Sequence, residues 1–219
     1  MSTTSASATA RRAAAQRRRS LVARRRRRVR RALLALGSLA VALVVVIVGL
    51  PLFKTAYEHL TLPLANEDII VQQAQEKGLD PAFVAAVIYA ETKFDARTSS
   101  AGAVGLMQIL PATAEFLARR SGATTFRVAD LADPQVNITY GSYYLRYLLD
   151  VYGGNRTLAL AAYNGGLTNV DRWLAQARAG GHALTVNEIP FSQTRAYVEK
   201  VLSAQRQYRQ TYPRQLGYG

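Results

Sequence analysis

No cysteine occurs anywhere in the 219 residues, so neither a disulfide framework nor a thiolate metal site is open to this chain. Histidine is almost as scarce. His59 and His182 are the only two and sit in unlike contexts, which leaves a structural zinc site and a Ser-His-Asp triad without support. No metal or cofactor is expected. Acids are missing from residues 1–57, although 12 arginines lie between Arg11 and Arg31. The other 16 basic residues stand against all 14 acids, a net of only +2 over residues 32–219. The formal net charge of +14 therefore describes the first 31 residues and says little about the rest.

Charge is absent altogether from Ala32 to Phe53, a run dominated by Leu, Val and Ala. At about 1.5 Å rise per residue, roughly 20 apolar residues cross a bilayer core of about 30 Å. The apolar core of a signal peptide has only about 7–15. Ala40-Val41-Ala42 resembles a cleavage site, but strongly apolar residues continue past it to Leu50. Residues 32–53 are therefore expected to be an uncleaved, single-pass transmembrane signal anchor held by membrane lipid. Arginines crowd its N-terminal flank and only Lys54 follows closely. The tail 1–31 is then expected in the cytoplasm and residues 54–219 outside the cell membrane. A nucleic-acid-binding arm is the competing reading of the tail. It is not expected, because orientation plus attraction to anionic lipid accounts for the arginines with less assumed.

Beyond a juxtamembrane connector, 54–65, the pattern is of helices parted by turns, forming one domain over 66–210 with a C-terminal tail at 211–219. Asn66 can cap a helix over 67–77 that Gly78 ends. Asp80-Pro81 and Asp133-Pro134 each place an N-cap acid before a proline at N1, starting helices that reach about Thr92 and Tyr152. Pro111 opens another, to about Arg120. Asn155 caps a short one to Tyr163, stopped by Gly165-Gly166. Further helices run from about Asn169 to Ala177 and from Gln193 to about Arg209. The best strand candidate is Thr124–Val128. The fold class read from this pattern is mainly α.

The helix from Pro81 is apolar almost all round and ends in one acid, Glu91. Apolar surroundings and the negative end of the helix both disfavour a carboxylate. A carboxylic acid kept protonated near neutral pH is what glycosidic cleavage needs. A solvated glutamate at a helix end is the plain alternative. Downstream lies Ser99-Ser100-Ala101-Gly102-Ala103-Val104-Gly105-Leu106-Met107-Gln108-Ile109-Leu110-Pro111. A second motif is Ala161-Ala162-Tyr163-Asn164-Gly165-Gly166, and a third runs Pro190-Phe191-Ser192-Gln193-Thr194-Arg195-Ala196-Tyr197-Val198.

These three ordered motifs resemble the soluble lytic transglycosylase (SLT) domain, a relative of goose-type lysozyme, over about residues 66–210. The resemblance implies a lysozyme-like helical domain, here following a single N-terminal transmembrane helix, that acts on peptidoglycan glycan strands. It implies Glu91 as catalytic acid/base and Ser99, Met107, Gln108, Tyr163, Asn164 and Tyr197 as residues of the substrate cleft. The segment between Phe94 and Ser99 is one residue shorter than in many members, so Ser100 is the fallback for Ser99. Core packing competes for Met107. Asn164 with two glycines also makes a good helix stop, and the Tyr163 hydroxyl is expected to point at the acid. Gln193 stands where the family usually has Glu.

No second acid recurs inside the motifs. Asp95 would share the face of Glu91 only if the helix continued; otherwise it caps the turn after Phe94. With one acid, the family's answer is that the substrate supplies the nucleophile and a 1,6-anhydromuramoyl product forms. A hydrolytic muramidase using Asp95 or another acid, and a non-catalytic peptidoglycan-binding protein on the same fold, are the alternatives.

Overall fold

The structure is a computed structural model and describes residues 62–218, with four isolated earlier positions: Gly37, Leu43, Val45 and Val46. The expectations for the tail, the membrane anchor and most of the connector fall outside the described residues. No helix among the described residues is long and apolar enough to cross a membrane.

Seven α-helices carry the described part: α1 (Glu67–Glu76), α2 (Pro81–Thr92), α3 (Pro111–Ser121), α4 (Pro134–Val151), α5 (Arg156–Gly165), α6 (Leu167–Ala179) and α7 (Ser192–Thr211). Between α2 and α3 lie two short antiparallel strands, β1 (Arg97–Thr98) and β2 (Val104–Gly105), paired Arg97 with Gly105 and Thr98 with Val104. This small ribbon is not where a strand was expected. Residues 124–127 are irregular and lead into a 3-10 segment, Val128–Ala132.

The proline starts hold. Asp80 accepts from Ala82 N at 3.0 Å and Asp133 from Val136 N at 3.1 Å, each with Pro at the first helical position. Asn155 caps α5 through Leu158 N. Asn66 is a correction. It sits in the left-handed region (φ 57°) and its side chain makes no cap bond; the acids Glu67 and Asp68 in the first turn face the positive end of α1 instead. Helix α5 runs on past Tyr163 to Gly165, and α6 begins at once at Leu167.

Helix α2 is the buried centre, with every residue from Ala82 to Ile88 at or near zero exposure. An all-apolar helix is stable only when covered on every side, and α7 lies along α2 while α5 packs on both α4 and α7. The cover extends past residue 210. Tyr212 and Leu216 are buried, and the Tyr212 hydroxyl donates to Leu62 O. Residues expected to be connector and tail thus pack against one another and against the core.

Asp80 joins these layers. Besides capping α2, its carboxylate accepts from Gln205 Nε2 at 2.8 Å, from Arg209 at 2.7 Å, and from the Tyr218 hydroxyl. Asp80→Ala is expected to cost about 2–3 kcal/mol, from one lost cap and two or three orphaned donors. Asp80→Asn, which keeps the cap, should cost about half as much. Urea denaturation of both variants checks the order.

Candidate active site

The acid is set at the point where α2 is forced to stop. Lys93 and Phe94 follow it at φ 53° and 66°, so the helix ends sharply and cannot carry Asp95 round to the face of Glu91. Asp95 N bonds back to Thr92 O and its side chain is exposed. Thr92 is buried; its hydroxyl lies 3.2 Å from Ile88 O and 2.8 Å from Leu106 O, tying the end of α2 to the loop beyond β2.

That loop reverses the chain within six residues. Val104 and Ile109 exchange backbone hydrogen bonds at 3.0 and 3.1 Å, while Gly105 (φ 79°) and Gln108 (φ 50°) take left-handed conformations between them. One side chain holds the turn from below. Asn137 of α4 is fully buried, accepts from Met107 N at 2.8 Å and donates to Val104 O at 2.9 Å and Leu131 O at 3.0 Å. A methyl group on Gly105 would overlap this amide. Glycine is required there for both reasons.

Burial pushes the Glu91 carboxyl up to about 7 from 4.5; Tyr197, Lys200 and Arg97 oppose the shift but do not cancel it. The charged groups acting on Glu91 are cations. The Tyr197 hydroxyl is enclosed and makes no hydrogen bond of regular geometry, yet it is near enough to Glu91 for its O–H dipole to favour the charged form. This contact is loose, as such contacts commonly are before substrate binds. Tyr163 also feels the charge of Glu91, but its hydroxyl donates to Met107 O at 2.8 Å. The tyrosine directed at the acid is therefore Tyr197 and not Tyr163. Burial holds both phenols far above their ordinary range, so both remain neutral donors.

A cavity of about 350 Å³ opens beside this group, lined in part by Gln108, Leu110, Thr113, Tyr144, Tyr163 and Asn164. A second, of about 490 Å³, shares Asn164 and Gly165 with it and continues to Phe191 and Gln193. Together they make a groove across the end of α5. No carboxylate lines either part. Glu91 is not itself in the lining; Tyr163, which feels its charge, is.

The seven sequence-predicted residues separate on inspection. Gln108 Nε2 is spent on Arg97 O and Gly105 O, at 2.8 and 2.9 Å, which leaves its Oε1 open to the groove. Asn164 Oδ1 accepts from the Thr194 hydroxyl at 2.9 Å, leaving its amide N–H groups exposed. Ser99 Oγ accepts from Ala103 N at 3.0 Å and so closes its own loop, while Ser100 is exposed. Met107 is a correction. Its side chain is fully buried against Gly141, and only its carbonyl serves the site, through Tyr163. The apolar surface expected of it is supplied by Leu110, 45% exposed, which the motif did not single out. Tyr144, Thr194 and Lys200 were also missed. Only the helical spacing of Lys200 from Tyr197, one turn apart, could have pointed to it.

Chemically, the site offers one carboxyl pushed up to about 7, neutral phenols, and a groove of amides and apolar side chains suited to an uncharged polar chain. Residues 68–185 match the Transglycosylase SLT domain family. The chain is 35% identical over 158 residues to the soluble lytic murein transglycosylase of Salmonella typhimurium, covering 70% of this chain and 24% of that protein. It is 32% identical over 164 residues to the membrane-bound lytic murein transglycosylase C of Cronobacter sakazakii, covering 64% of this chain and 45% of that one. The lytic transglycosylase Slt of Pseudomonas aeruginosa, solved as an inactive Glu-to-Gln mutant, superposes with a TM-score of 0.64 at 34% identity, covering 71% of this chain and 26% of that one. The chain thus spans about a quarter of the length of the soluble relatives it matches.

Proposed function

Since the chain belongs to the transglycosylase SLT domain family, we propose that it is a peptidoglycan lytic transglycosylase with Glu91 as its single acid/base. The observation that carries this reading is a carboxyl pushed up to about 7 by burial beside a groove that no carboxylate lines. Hydrolytic glycosidases generally place a second carboxylate roughly 5–9.5 Å from the acid. Asp95, the nearest candidate in sequence, is turned to solvent, which favours a nucleophile supplied by the substrate.

In the proposed reaction the Glu91 carboxyl gives its proton to the glycosidic oxygen between N-acetylmuramoyl and N-acetylglucosaminyl residues as the C1–O bond breaks. The N-acetyl carbonyl oxygen closes on C1. The 6-hydroxyl of the same sugar then displaces it, Glu91 takes that hydroxyl's proton, and a 1,6-anhydromuramoyl end results without water. Tyr197 and Tyr163 stay protonated throughout; Tyr197 serves the charged form of Glu91, while the Tyr163 hydroxyl stays on Met107 O. Gln108 Oε1, the Asn164 amide and Leu110 hold the glycan. Ser99 acts only by shaping its loop, and Gln193 meets the glycan as a neutral amide at the far end of the groove.

Mass spectrometry of soluble products from intact peptidoglycan tests the reading. Fragments one water lighter than reducing-end muropeptides support it; reducing-end fragments would mean a hydrolase. The pH profile gives a second check. The acid must be protonated in the free enzyme, so kcat/KM should fall tenfold per pH unit above about 7. A profile flat to pH 9 would place the required proton elsewhere.

The proposed location is outside the cytoplasm, with residues 32–53 as a single-pass anchor. The support is the uncharged run and its arginine flank, together with the membrane-bound relative. A reporter fused at residue 60, active only in the periplasm or exterior, tests it. A cytoplasmic signal would overturn it.

A further inference from the structure

Three cations crowd the C-terminal end of α2, around the acid. Lys200 Nζ donates to Ala90 O at 2.9 Å and lies 5.3 Å from the centre of the Tyr89 ring. Arg97 Nη2 donates to the carbonyl of Glu91 itself at 3.0 Å. Lys93, exposed two residues beyond Glu91, makes no side-chain hydrogen bond among the described residues, yet its charge is felt at Lys200. None of the three forms an ion pair among the described residues, although Asp95 and Glu199 are close in sequence.

Cations at a helix C-terminus gain about 0.3–1 kcal/mol each from the helix dipole. That favours all three, Lys93 being the C-cap residue itself, but only Lys200 and Arg97 reach carbonyls. Gathering a third like charge beside two others is unfavourable unless an anion joins them. The Lys200 ammonium is held below its ordinary range by burial and by repulsion from Lys93 and Arg97, and the buried Glu91 carboxyl offsets this only in part.

The place matters. Arg97 belongs to β1, and its carbonyl is gripped by Gln108 of the groove; Lys200 is one turn beyond Tyr197 on α7. The cations therefore lie against the acid and its partners. In the substrate, the sugar whose C1–O bond receives the proton carries a lactyl ether on its own C3. That ether ends in a carboxyl, either free or extended by a stem peptide that bears further carboxylates. We infer that Lys93, Arg97 and Lys200 form a carboxylate-binding flank that seats the acidic substituent of the muramoyl residue at the cleavage point. This rests on the peptidoglycan reading above.

The test is binding, in a Glu91→Gln background so that nothing is cleaved. Three soluble tetrasaccharides are titrated by calorimetry: one with stem peptides, one stripped by an amidase so that only lactyl carboxylates remain, and uncharged chitotetraose. Lys93→Gln with Lys200→Gln should weaken the charged ligands about tenfold, flatten their salt dependence, and leave chitotetraose unchanged. Lys93→Glu alone, at an exposed residue without bonds to lose, should do the same. Weakening confined to the peptide-bearing ligand assigns the stem carboxylates; weakening confined to the stripped one assigns the lactyl group. Unchanged affinity for both charged ligands, or an equal loss for chitotetraose, overturns the flank. If the Glu91→Gln parent binds none of the three, the peptidoglycan reading falls with it.

Discussion

Glu91→Gln should lose about 10³-fold or more in kcat while making the protein more stable at pH 8. General acid–base catalysis by one positioned group is worth about 10²–10⁴-fold, and here the same carboxyl is asked to act in both directions. The stability gain follows from the same burial. The carboxyl sits at about 7 in the folded protein and 4.5 as its ordinary value. Below about pH 4.5 both states hold the proton and Glu91 costs nothing. Between these values only the folded state holds it, so stability falls as pH rises. Above about 7 the full cost is present, up to about 3 kcal/mol at 1.36 kcal/mol per unit. Gln, a near isostere without charge, avoids it. Thermal melts of the two proteins should coincide near pH 4.5 and separate by several degrees at pH 8. A solvated glutamate at a helix end would show no separation at any pH, which makes the melts a test independent of any substrate.

The same residues show how far sequence reaches. Helices announced by Asp-Pro were legible because cap and N1 proline are local chemistry, and the structure keeps both, at Asp80 and Asp133. The apolar run from Ala82 to Ile88 likewise marks a covered helix. Asn66 was misjudged because a capping residue type says nothing about the backbone angle it will adopt. The β1–β2 ribbon has two residues per strand, too few for any alternation to show. Met107 and Leu110 are both apolar and three residues apart; which of them faces the groove depends on the left-handed turn at Gln108. Such a turn is rare for a side chain of that length. The motif singled out the loop but could not say which side of it was outward. The pairing of Glu91 with Tyr197, and with Lys200 beyond it, joins α2 to α7 across more than 100 residues. It emerges only when the two helices are packed.

Asn137→Ala should be the most damaging single change away from the acid. The side chain is fully buried and satisfies one backbone N–H and two backbone carbonyls, on Met107, Val104 and Leu131. Its removal leaves three orphaned groups in an enclosed space. At about 1–3 kcal/mol each, with partial relief if water enters, the loss is about 3–5 kcal/mol. Function should fall further than stability alone explains, because the Met107 carbonyl anchors the Tyr163 hydroxyl and the same turn presents Gln108. At a temperature where the variant is still folded, kcat/KM is expected to drop by at least about tenfold. Asn137→Asp separates shape from donor chemistry. It keeps the acceptor for Met107 N but turns a negative oxygen toward two carbonyls, and a buried carboxyl in that position is driven to take up a proton. That carboxyl's folded-state value would lie above its unfolded one, so the penalty is full at high pH and shrinks as pH falls through the raised value. Asn137→Asp should therefore regain stability between pH 8 and pH 5, whereas the deficit of Asn137→Ala should stay constant. Parallel behaviour of the two variants across that range would mean that the amide donates nothing essential and that the turn is held by its backbone alone.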